Sequence, residues 1–381
     1  MKLLMTTDTV GGVWTYALDL ARALRPHGVE IALATMGAPL SPDQRRDASM
    51  LDNVRVHESS FKLEWMQDPW DDVRMSGEWL LDLEQRFDPD VVHLNGYAHG
   101  QLPFGAPIVI VAHSCVMSWW RAVKGEAAPA EWNRYRDEVS RGLHDADIVV
   151  APTRAMLDAL EENYGPLHTK RVIHNGRDPH LYRPARKEQF ILTAGRLWDE
   201  AKNVAALQAV APRVAWPICV AGEEKSPDGA GAQAVKDRGV LALGRLDAPS
   251  LAHWFARADI YALPARYEPF GLSALEAAMC GCALVLGDIP SLREVWGDAA
   301  TFVPPDDHDA LRAALQSLIE HPPRRREMAG RAMERAQSYA PQRMADAYAG
   351  VYRESIRRRR MVDVDVQIAD AFSAVHPFQP M

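Results

Sequence analysis

The 381-residue sequence predicts an α/β protein of two domains, each built on a doubly wound parallel sheet. Short apolar, β-branched segments alternate with amphipathic helical segments, which is typical of a parallel sheet covered by helices on both faces. A polar segment with two prolines, Asn175–Lys187, interrupts this alternation, and the same pattern then restarts. The length also suits two domains of roughly 150 residues, each able to bury its own core.

In the first half of the chain, apolar segments predict five strands, at Lys2–Thr6, Val29–Thr35, Val91–Leu94, Ile108–Ala112 and Ile148–Ala151. Between these strands, apolar residues recur with helical periodicity and predict helices, as at Val13–Leu24 and Asp72–Phe87. Because strands and helices alternate along the chain, we expect the strands to run parallel.

After the polar segment, six more strands are predicted, at Phe190–Ala194, Ile218–Ala221, Val240–Leu243, Ile260–Leu263, Ala283–Leu286 and Thr301–Val303. Helices are expected near Ser250–Arg257 and Leu272–Cys280. The last part of the chain is rich in Arg and Ala and predicts helices at Asp307–Glu320, Arg324–Ser338 and Gln342–Arg359.

These patterns divide the chain into a first domain, residues 1–178, and a second domain, residues 179–340. Residues 341–381 form a C-terminal helix and tail that we expect to pack back on the first domain. Two such domains would face each other across a cleft at the carboxyl ends of their strands. Open α/β sheets bind ligands at this edge.

Charge and hydropathy exclude several classes of protein. The net charge of −8 argues against general nucleic-acid binding and against a polybasic membrane surface. No apolar segment approaches the roughly 18–20 residues that span a bilayer, and the N-terminus is not a secretory signal. Four consecutive arginines, Arg357–Arg360, are interpreted as a solvated helix end, with weak peripheral contact to an anionic membrane, or contact to an acidic partner, as the alternative. The oligomeric state is left open.

The cysteines predict neither a disulfide framework nor a zinc site. The sequence has four cysteines, which are too few for a disulfide framework: Cys115, Cys219, Cys280 and Cys282. It has no C-x-x-C pair of the kind that binds zinc. Cys280 and Cys282 are interpreted as small buried thiols at a helix end. A reducing cytoplasm is the expected location.

Several common catalytic motifs are absent. The sequence has no P-loop, no G-x-G-x-x-G after a strand, no H-E-x-x-H and no G-x-S-x-G. Two Asp-x-Asp patterns occur, at Asp145–Asp147 and Asp363–Asp365, but neither follows a strand in the way a metal–diphosphate site requires. We therefore predict no metal and no cofactor.

Two segments could approach a phosphate group. Gly11 and Gly12 follow the first strand and open a helix, where the backbone can come close to an anion, although a plain tight turn is the alternative. Arg196 and Lys202 lie six residues apart across a strand-to-helix turn at the start of the second domain. They could converge on one phosphate group, or they could be two solvated surface cations.

The most informative segment is Arg266–Glu276. Glu268 precedes a helix, Phe270-Gly271-Leu272 form the turn into it, and Glu276 lies within it among apolar residues. Two carboxylates at a helix start can hold ligand hydroxyls through charge-assisted hydrogen bonds. A buried Glu276 without such a role would be costly, although a surface carboxylate pair is the alternative.

This segment resembles the signature of the family-4 (group 1) retaining glycosyltransferases, whose fold is the two-domain GT-B fold. The family motif is Glu-x₇-Glu with Phe-Gly-Leu after the first Glu, matched by Glu268, Phe270–Leu272 and Glu276. Further similarities are the N-terminal glycine loop, the phosphate-binding Arg and Lys, and the Asn-Gly-x-Asp segment of His174–Asp178. The resemblance extends to about residue 355.

The resemblance implies roles for the donor side of the cleft. Glu276 would hold the nucleotide ribose, and Glu268 would lie against the donor sugar. Arg196 and Lys202 would neutralise the diphosphate leaving group without a metal. The remaining implied donor contacts come from the backbone of Phe270, Gly271 and Leu272 and from the glycine loop, Gly11 and Gly12.

The resemblance also implies roles in the first domain, which would bind the acceptor. His113 follows a strand at the position where the family often has a histidine beside the reacting sugar; a satisfied strand-end histidine is the alternative. Trp119 and Trp120 would face the acceptor, unless they only pack a loop against the domain. Asn203, Ser273 and Cys282 depart from residues common in the family.

The predicted function is a retaining, metal-independent glycosyltransferase. It would move a hexose from a nucleotide diphosphate-sugar, with UDP-glucose as the default, to a hydroxyl acceptor such as a sugar or glycan precursor. Two alternatives are kept: a sugar-nucleotide epimerase, which acts on the donor alone, and a catalytically silent sugar-nucleotide-binding subunit.

Overall fold

The computed structural model describes residues 1–226 and 239–375, with side chains up to residue 361. Its first sheet has seven parallel strands in the order β3-β2-β1-β4-β5-β6-β7. They are β1 (Lys2–Asp8), β2 (Glu30–Met36), β3 (Val54–Glu58), β4 (Val91–Leu94), β5 (Ile108–Val111), β6 (Ile148–Ala151) and β7 (Lys170–Val172). The helices of this half are α1 (Gly12–Leu24), α2 (Pro42–Ser49), α3 (Trp70–Phe87), α4 (Val116–Lys124), α5 (Asn133–Asp145) and α6 (Arg154–Tyr164).

The second sheet has six parallel strands in the order β10-β9-β8-β11-β12-β13. They are β8 (Glu188–Ala194), β9 (Ile218–Ala221), β10 (Val240–Gly244), β11 (Ala258–Leu263), β12 (Ala283–Gly287) and β13 (Thr301–Val303). The helices that follow are α7 (Val204–Val210), α8 (Ala248–Arg257), α9 (Leu272–Met279), α10 (Pro290–Trp296), α11 (His308–Glu320), α12 (Pro322–Ala336) and α13 (Pro341–Val375). The predicted class, two parallel-sheet α/β domains, is confirmed.

Each sheet is buried on both faces. Along β1, Leu3 and Met5 pack in one apolar cluster, while Leu4 packs in another on the opposite face. This alternation follows from the period of two along a strand, and it explains why the central strands are continuously apolar. The second sheet likewise has two clusters, one on each face.

The last helix, α13, packs against the first domain although it follows the second in the chain. Met344, Tyr348 and Tyr352 belong to the same apolar cluster as α1. Within the arginine run, Arg358 pairs with Glu354 of its own helix at 2.8 Å. The predicted tail to residue 381, with Asp363 and Asp365, extends beyond the residues whose side chains the structure describes.

All four cysteines are free and buried, as expected for Cys280 and Cys282. Burial raises the pKa of each thiol, to about 11 for Cys219 and Cys282 and to about 12 for Cys280. Thiolates are the reactive species, so native protein at pH 8 should react very slowly with a disulfide reagent, whereas denatured protein should release all four equivalents. Fast labelling of the native chain would contradict this packing.

Candidate active site

Lys202 and Glu268 form an ion pair at the carboxyl ends of the second sheet. Lys202 ends a short 3-10 turn after β8, and Glu268 lies in the loop between β11 and α9. Lys202 Nζ lies 2.6 Å from Glu268 Oε2, and each side chain is 13% exposed. The structure thus brings together a predicted cation and a predicted carboxylate that are 66 residues apart.

The Glu268 carboxylate is held in place from two sides. Its Oε1 accepts hydrogen bonds from the backbone N–H groups of Phe270, at 3.3 Å, and Gly271, at 2.9 Å. Burial acts to raise the pKa of Glu268, but Lys202, the Phe270 N–H and Arg196 together outweigh that effect, and the pKa is lowered. Glu268 is therefore a carboxylate at neutral pH, with its charge already compensated.

The glycine loop of the first domain meets the second domain beside this pair. A Cβ atom added at Gly11 would lie 3.5 Å from Arg196 Cδ, and one added at Gly12 would lie 3.5 Å from Leu272 Cδ1. Gly11 also has a φ of +94°, which L side chains rarely adopt. The predicted donor segments therefore converge across the boundary between the domains.

The Arg196 side chain forms an ion pair within the protein and also remains accessible to solvent. Its guanidinium pairs with Asp199 at 2.9 Å, and its side chain remains 34% exposed. Asp8, at the end of β1, faces this charge: burial raises the Asp8 pKa to about 7, while Arg196 opposes the rise. Sequence reasoning missed Asp8, although its place at the end of a strand before the glycine loop could have indicated it.

Asn203, which departs from the family glycine, occupies a left-handed conformation with a φ of +54°. Asn tolerates this region better than most residues. Its Nδ2 donates to the carbonyl oxygens of Pro264 and Pro305, at 2.9 and 2.7 Å. The departure therefore preserves the turn that carries Lys202.

Glu276 lies in a different cluster from the Lys202–Glu268 pair. It is 7% exposed, and its Oε1 lies 2.7 Å from Arg177 NH2. The same guanidinium pairs with Asp19 of α1 and donates to the Tyr182 hydroxyl. The sequence analysis did not predict a role for Arg177, which fills the variable position of the Asn-Gly-x-Asp segment. The expected burial of Glu276 among apolar residues could have indicated that a cation must lie beside it.

His113 follows β5 and is partly buried against Tyr16, with the ring centroids 4.5 Å apart. Its Nε2 hydrogen-bonds to Asn95 Oδ1 at 2.7 Å. Burial lowers the His113 pKa to about 3. The imidazole is therefore neutral at physiological pH.

Trp119 and Trp120 lie on α4 and contact each other edge to face at 5.8 Å. Trp119 Nε1 donates to Asp199 Oδ1 across the domain boundary, at 2.9 Å. Lys124 Nζ lies within 6.0 Å of both ring centroids and pairs with Glu200 of the second domain at 2.7 Å. The two indoles thus lie beside the interdomain contact that also holds Asp199.

A small cavity opens at the carboxyl ends of β1, β2 and β4 in the first domain. It measures about 50 Å³, and Asp8, Glu64 and Asn95 are among its lining residues. Burial raises the Glu64 pKa to about 7, although the N–H groups of Ala98 and Tyr97 oppose the rise. Its lining carries hydrogen-bonding groups suited to hydroxyls.

Among residues 1–226 and 239–375, no group of three or more His, Cys, Asp or Glu side chains is placed to hold a metal ion. Of the two Asp-x-Asp patterns, the side chains of Asp145–Asp147 are described. There, Asp147 accepts a hydrogen bond from the Ile108 N–H at 2.7 Å. Over the same part of the chain, no helix is both long and apolar enough to cross a membrane.

Sequence comparisons identify the family. Residues 10–181 match the model "Glycosyltransferase Family 4", and residues 188–321 match "Glycosyl transferases group 1". A glycogen synthase of Mycobacterium tuberculosis is 31% identical over 305 residues, covering 74% of this chain and 72% of the relative. The chain belongs to the group 1 glycosyltransferases. A D-inositol 3-phosphate glycosyltransferase of Catenulispora acidiphila is 26% identical to this glycosyltransferase and covers 92% of each chain.

Solved structures agree on the fold of this glycosyltransferase. Sucrose-phosphate synthase from Thermosynechococcus elongatus superposes with a TM-score of 0.78 at 19% identity, over 93% of this chain and 98% of that one. Anabaena Alr3699/HepE, solved with UDP-glucose, gives a TM-score of 0.74 at 16% identity, over 93% of this chain and 100% of that one. The predicted family resemblance and its GT-B fold are confirmed.

Proposed function

We propose that this glycosyltransferase moves a hexose from a nucleotide diphosphate-sugar to a hydroxyl acceptor with retention of anomeric configuration. The observation that carries the proposal is the convergence of Lys202, Glu268 and Arg196 with the glycine loop at one interdomain boundary. Cations beside a partly buried carboxylate suit a ligand with a charged diphosphate and a hydroxyl-rich sugar. UDP-glucose is the first donor to test, because the Anabaena protein of the same fold was solved with it.

On the donor side, Arg196 and Lys202 would stabilise the negative charge that develops on the diphosphate. Their fixed charges make a metal ion unnecessary in this proposal, so activity should persist in EDTA. The ribose is assigned to Glu276, whose carboxylate Arg177 orients at 2.7 Å. The ribose hydroxyls would donate hydrogen bonds to that carboxylate.

For the chemical step, we favour attack from the face that the leaving group vacates. The bond between the sugar C1 and the diphosphate oxygen breaks, the acceptor oxygen bonds to C1, and the acceptor proton moves to the departing phosphate. Glu268 is less suited to act as a covalent nucleophile, because Lys202 and two backbone N–H groups already engage its carboxylate. Closed packing of the domains would exclude water from the donor.

The acceptor is assigned to the first domain, beside His113 and the cavity that Asp8 and Glu64 line. The hydrogen-bonding groups in that lining suit a sugar or glycan precursor with free hydroxyls. The named relatives, a glycogen synthase and D-inositol 3-phosphate glycosyltransferases, differ in product, so family membership alone does not select the acceptor.

The decisive experiment is a thermal-shift screen of UDP-, GDP- and ADP-hexoses, with free hexose as the control. A true donor at 100 times its Kd should add about 2.7 kcal/mol of stability. Donors that bind are then incubated with and without sugar acceptors, and the product anomer is determined by NMR. Retained configuration supports the proposal; inversion overturns it. Conversion of donor alone would indicate an epimerase, and tight binding without turnover a silent subunit.

A further inference from the structure

A chain of buried polar side chains connects the last helix to His113. The Tyr352 hydroxyl of α13 lies 2.7 Å from His93 Nδ1, and His93 Nε2 lies 3.2 Å from Asn95 Oδ1. The same Oδ1 lies 2.7 Å from His113 Nε2. Tyr352 and His93 are both fully buried, so this chain is isolated from solvent at its far end.

One contact shows which ring nitrogens of the two histidines carry protons. Asn95 Nδ2 donates to the Thr6 carbonyl oxygen at 2.6 Å, and a carbonyl oxygen only accepts. The amide of Asn95 must therefore present Oδ1, an acceptor, to both histidines. Each histidine consequently carries its proton on Nε2.

Both imidazoles are neutral, which leaves each Nδ1 without a proton. Burial lowers the pKa of His93 to about 4, as it lowers that of His113. His93 Nδ1 accepts from the Tyr352 hydroxyl. His113 Nδ1 has no partner among the described residues, and the His113 side chain is partly exposed at the carboxyl end of the sheet.

We propose that Asn95 is a positioning residue that locks His113 as its Nε2–H tautomer, so that the free Nδ1 accepts a hydrogen bond from a substrate hydroxyl. His113 then orients a sugar without exchanging a proton with it. This inference rests on the proposed function, which places a sugar beside His113. It also gives α13 a part in the site, because Tyr352 fixes the tautomer of His93 and so the second hydrogen bond to Asn95.

The other ionisable groups around these hydrogen-bonded side chains do not change charge near neutral pH. Tyr16 of α1 packs against both histidines, and Tyr348 of α13 packs against His93. Burial raises the pKa of Tyr16, Tyr348 and Tyr352, so all three stay protonated. We expect no titration of this cluster between pH 6 and 8 in the native enzyme.

The test combines an NMR readout with kinetics on the full chain. With ¹⁵N-histidine labelling, His113, assigned by loss of its signal in His113→Gln, should show a neutral Nε2–H ring throughout pH 6–8. In Asn95→Asp, a carboxylate replaces the amide oxygen and favours the imidazolium. The His113 pKa should rise, and kcat/KM should fall by about tenfold between pH 8 and pH 6, a loss absent in wild type.

Ser76→Ala is the matched control, because the Ser76 hydroxyl hydrogen-bonds at 2.9 Å to another buried histidine of this domain, His99. It should leave the His113 signal and the pH profile unchanged. An Nδ1–H tautomer in wild type overturns the inference even if sugar transfer proceeds. A change confined to acceptor KM in Asn95→Asp also overturns it, since that would indicate direct contact. If no donor supports transfer, the proposed function fails and the role of Asn95 fails with it, whatever the tautomer.

Discussion

Replacing Lys202 with methionine is expected to lower kcat for sugar transfer by about 10²–10³-fold, the usual effect of removing one group that stabilises developing negative charge. Lys202 is the cation closest to Glu268, at 2.6 Å, in a site where each partner is 13% exposed. The variant would lose the positive charge beside the departing diphosphate. It would also leave the Glu268 carboxylate buried without its ion-pair partner.

The same variant should change the pH dependence of the remaining activity. In the native site, Lys202 is the main group that lowers the pKa of Glu268 against the effect of burial. Without it, burial should dominate and the carboxylate should bind a proton at higher pH. Residual kcat should therefore begin to decline at a higher pH than in wild type as the solution is acidified, measured over pH 5–9.

Lys170→Met provides the matched control, because Lys170 begins the edge strand β7 of the first sheet and pairs with Glu161 of α6, whereas Lys202 follows a strand of the second sheet. Its kcat and pH profile should equal those of wild type. Thermal unfolding of both variants separates a loss of folding from a loss of chemistry. A native kcat in Lys202→Met, in protein that remains folded, would remove Lys202 from the donor site.

The sequence was sufficient to predict the central strands, because a strand buried on both faces must be continuously apolar. It missed β3 and β7, which lie at the two edges of the first sheet. β3 has the sequence Val-Arg-Val-His-Glu and is largely half-buried or exposed, and β7 has only three residues. Edge strands expose polar side chains to water, so their pattern is weak.

The convergence of Lys202 and Glu268 was predictable because both follow strands of one parallel sheet, and such strands present their carboxyl ends at the same edge. Gly11 and Arg196 meet for a related reason, since each follows the first strand of its domain. Partners that depend on the path of a loop or a terminal helix were not predictable in this way. Arg177 reaches Glu276 from the linker, and Tyr352 reaches His93 across 259 residues.

Replacing Arg177 with methionine is expected to reduce the free energy of unfolding by about 3–5 kcal/mol, because breaking a buried ion pair by removing one partner leaves uncompensated charge. The guanidinium contacts Asp19 and Glu276, and all three side chains are less than 10% exposed. These two carboxylates belong to α1 and α9, one in each half of the chain. Urea or thermal unfolding at pH 7 measures the loss.

The deficit should shrink as the pH falls. Burial already raises the pKa of Glu276 in the native protein, while Arg177 opposes the rise. Without Arg177 the folded-state pKa should rise further above its unfolded value, so the destabilisation is fully present above the raised pKa and declines as protonation neutralises the carboxylate. The difference in stability between variant and wild type should therefore be smaller at pH 5 than at pH 8.

Two further variants distinguish a buried charge from a general loss of contacts. Arg257→Met removes a cation that pairs at 2.7 Å with Glu188, but this pair is far more exposed, so its loss should reduce stability much less than the loss of Arg177 does. Combining Arg177→Met with Asp19→Asn and Glu276→Gln removes the stranded charges and should recover part of the lost stability. If that triple variant were no more stable than Arg177→Met alone, packing of the arginine stem, and not charge compensation, would be what joins the two halves at this point.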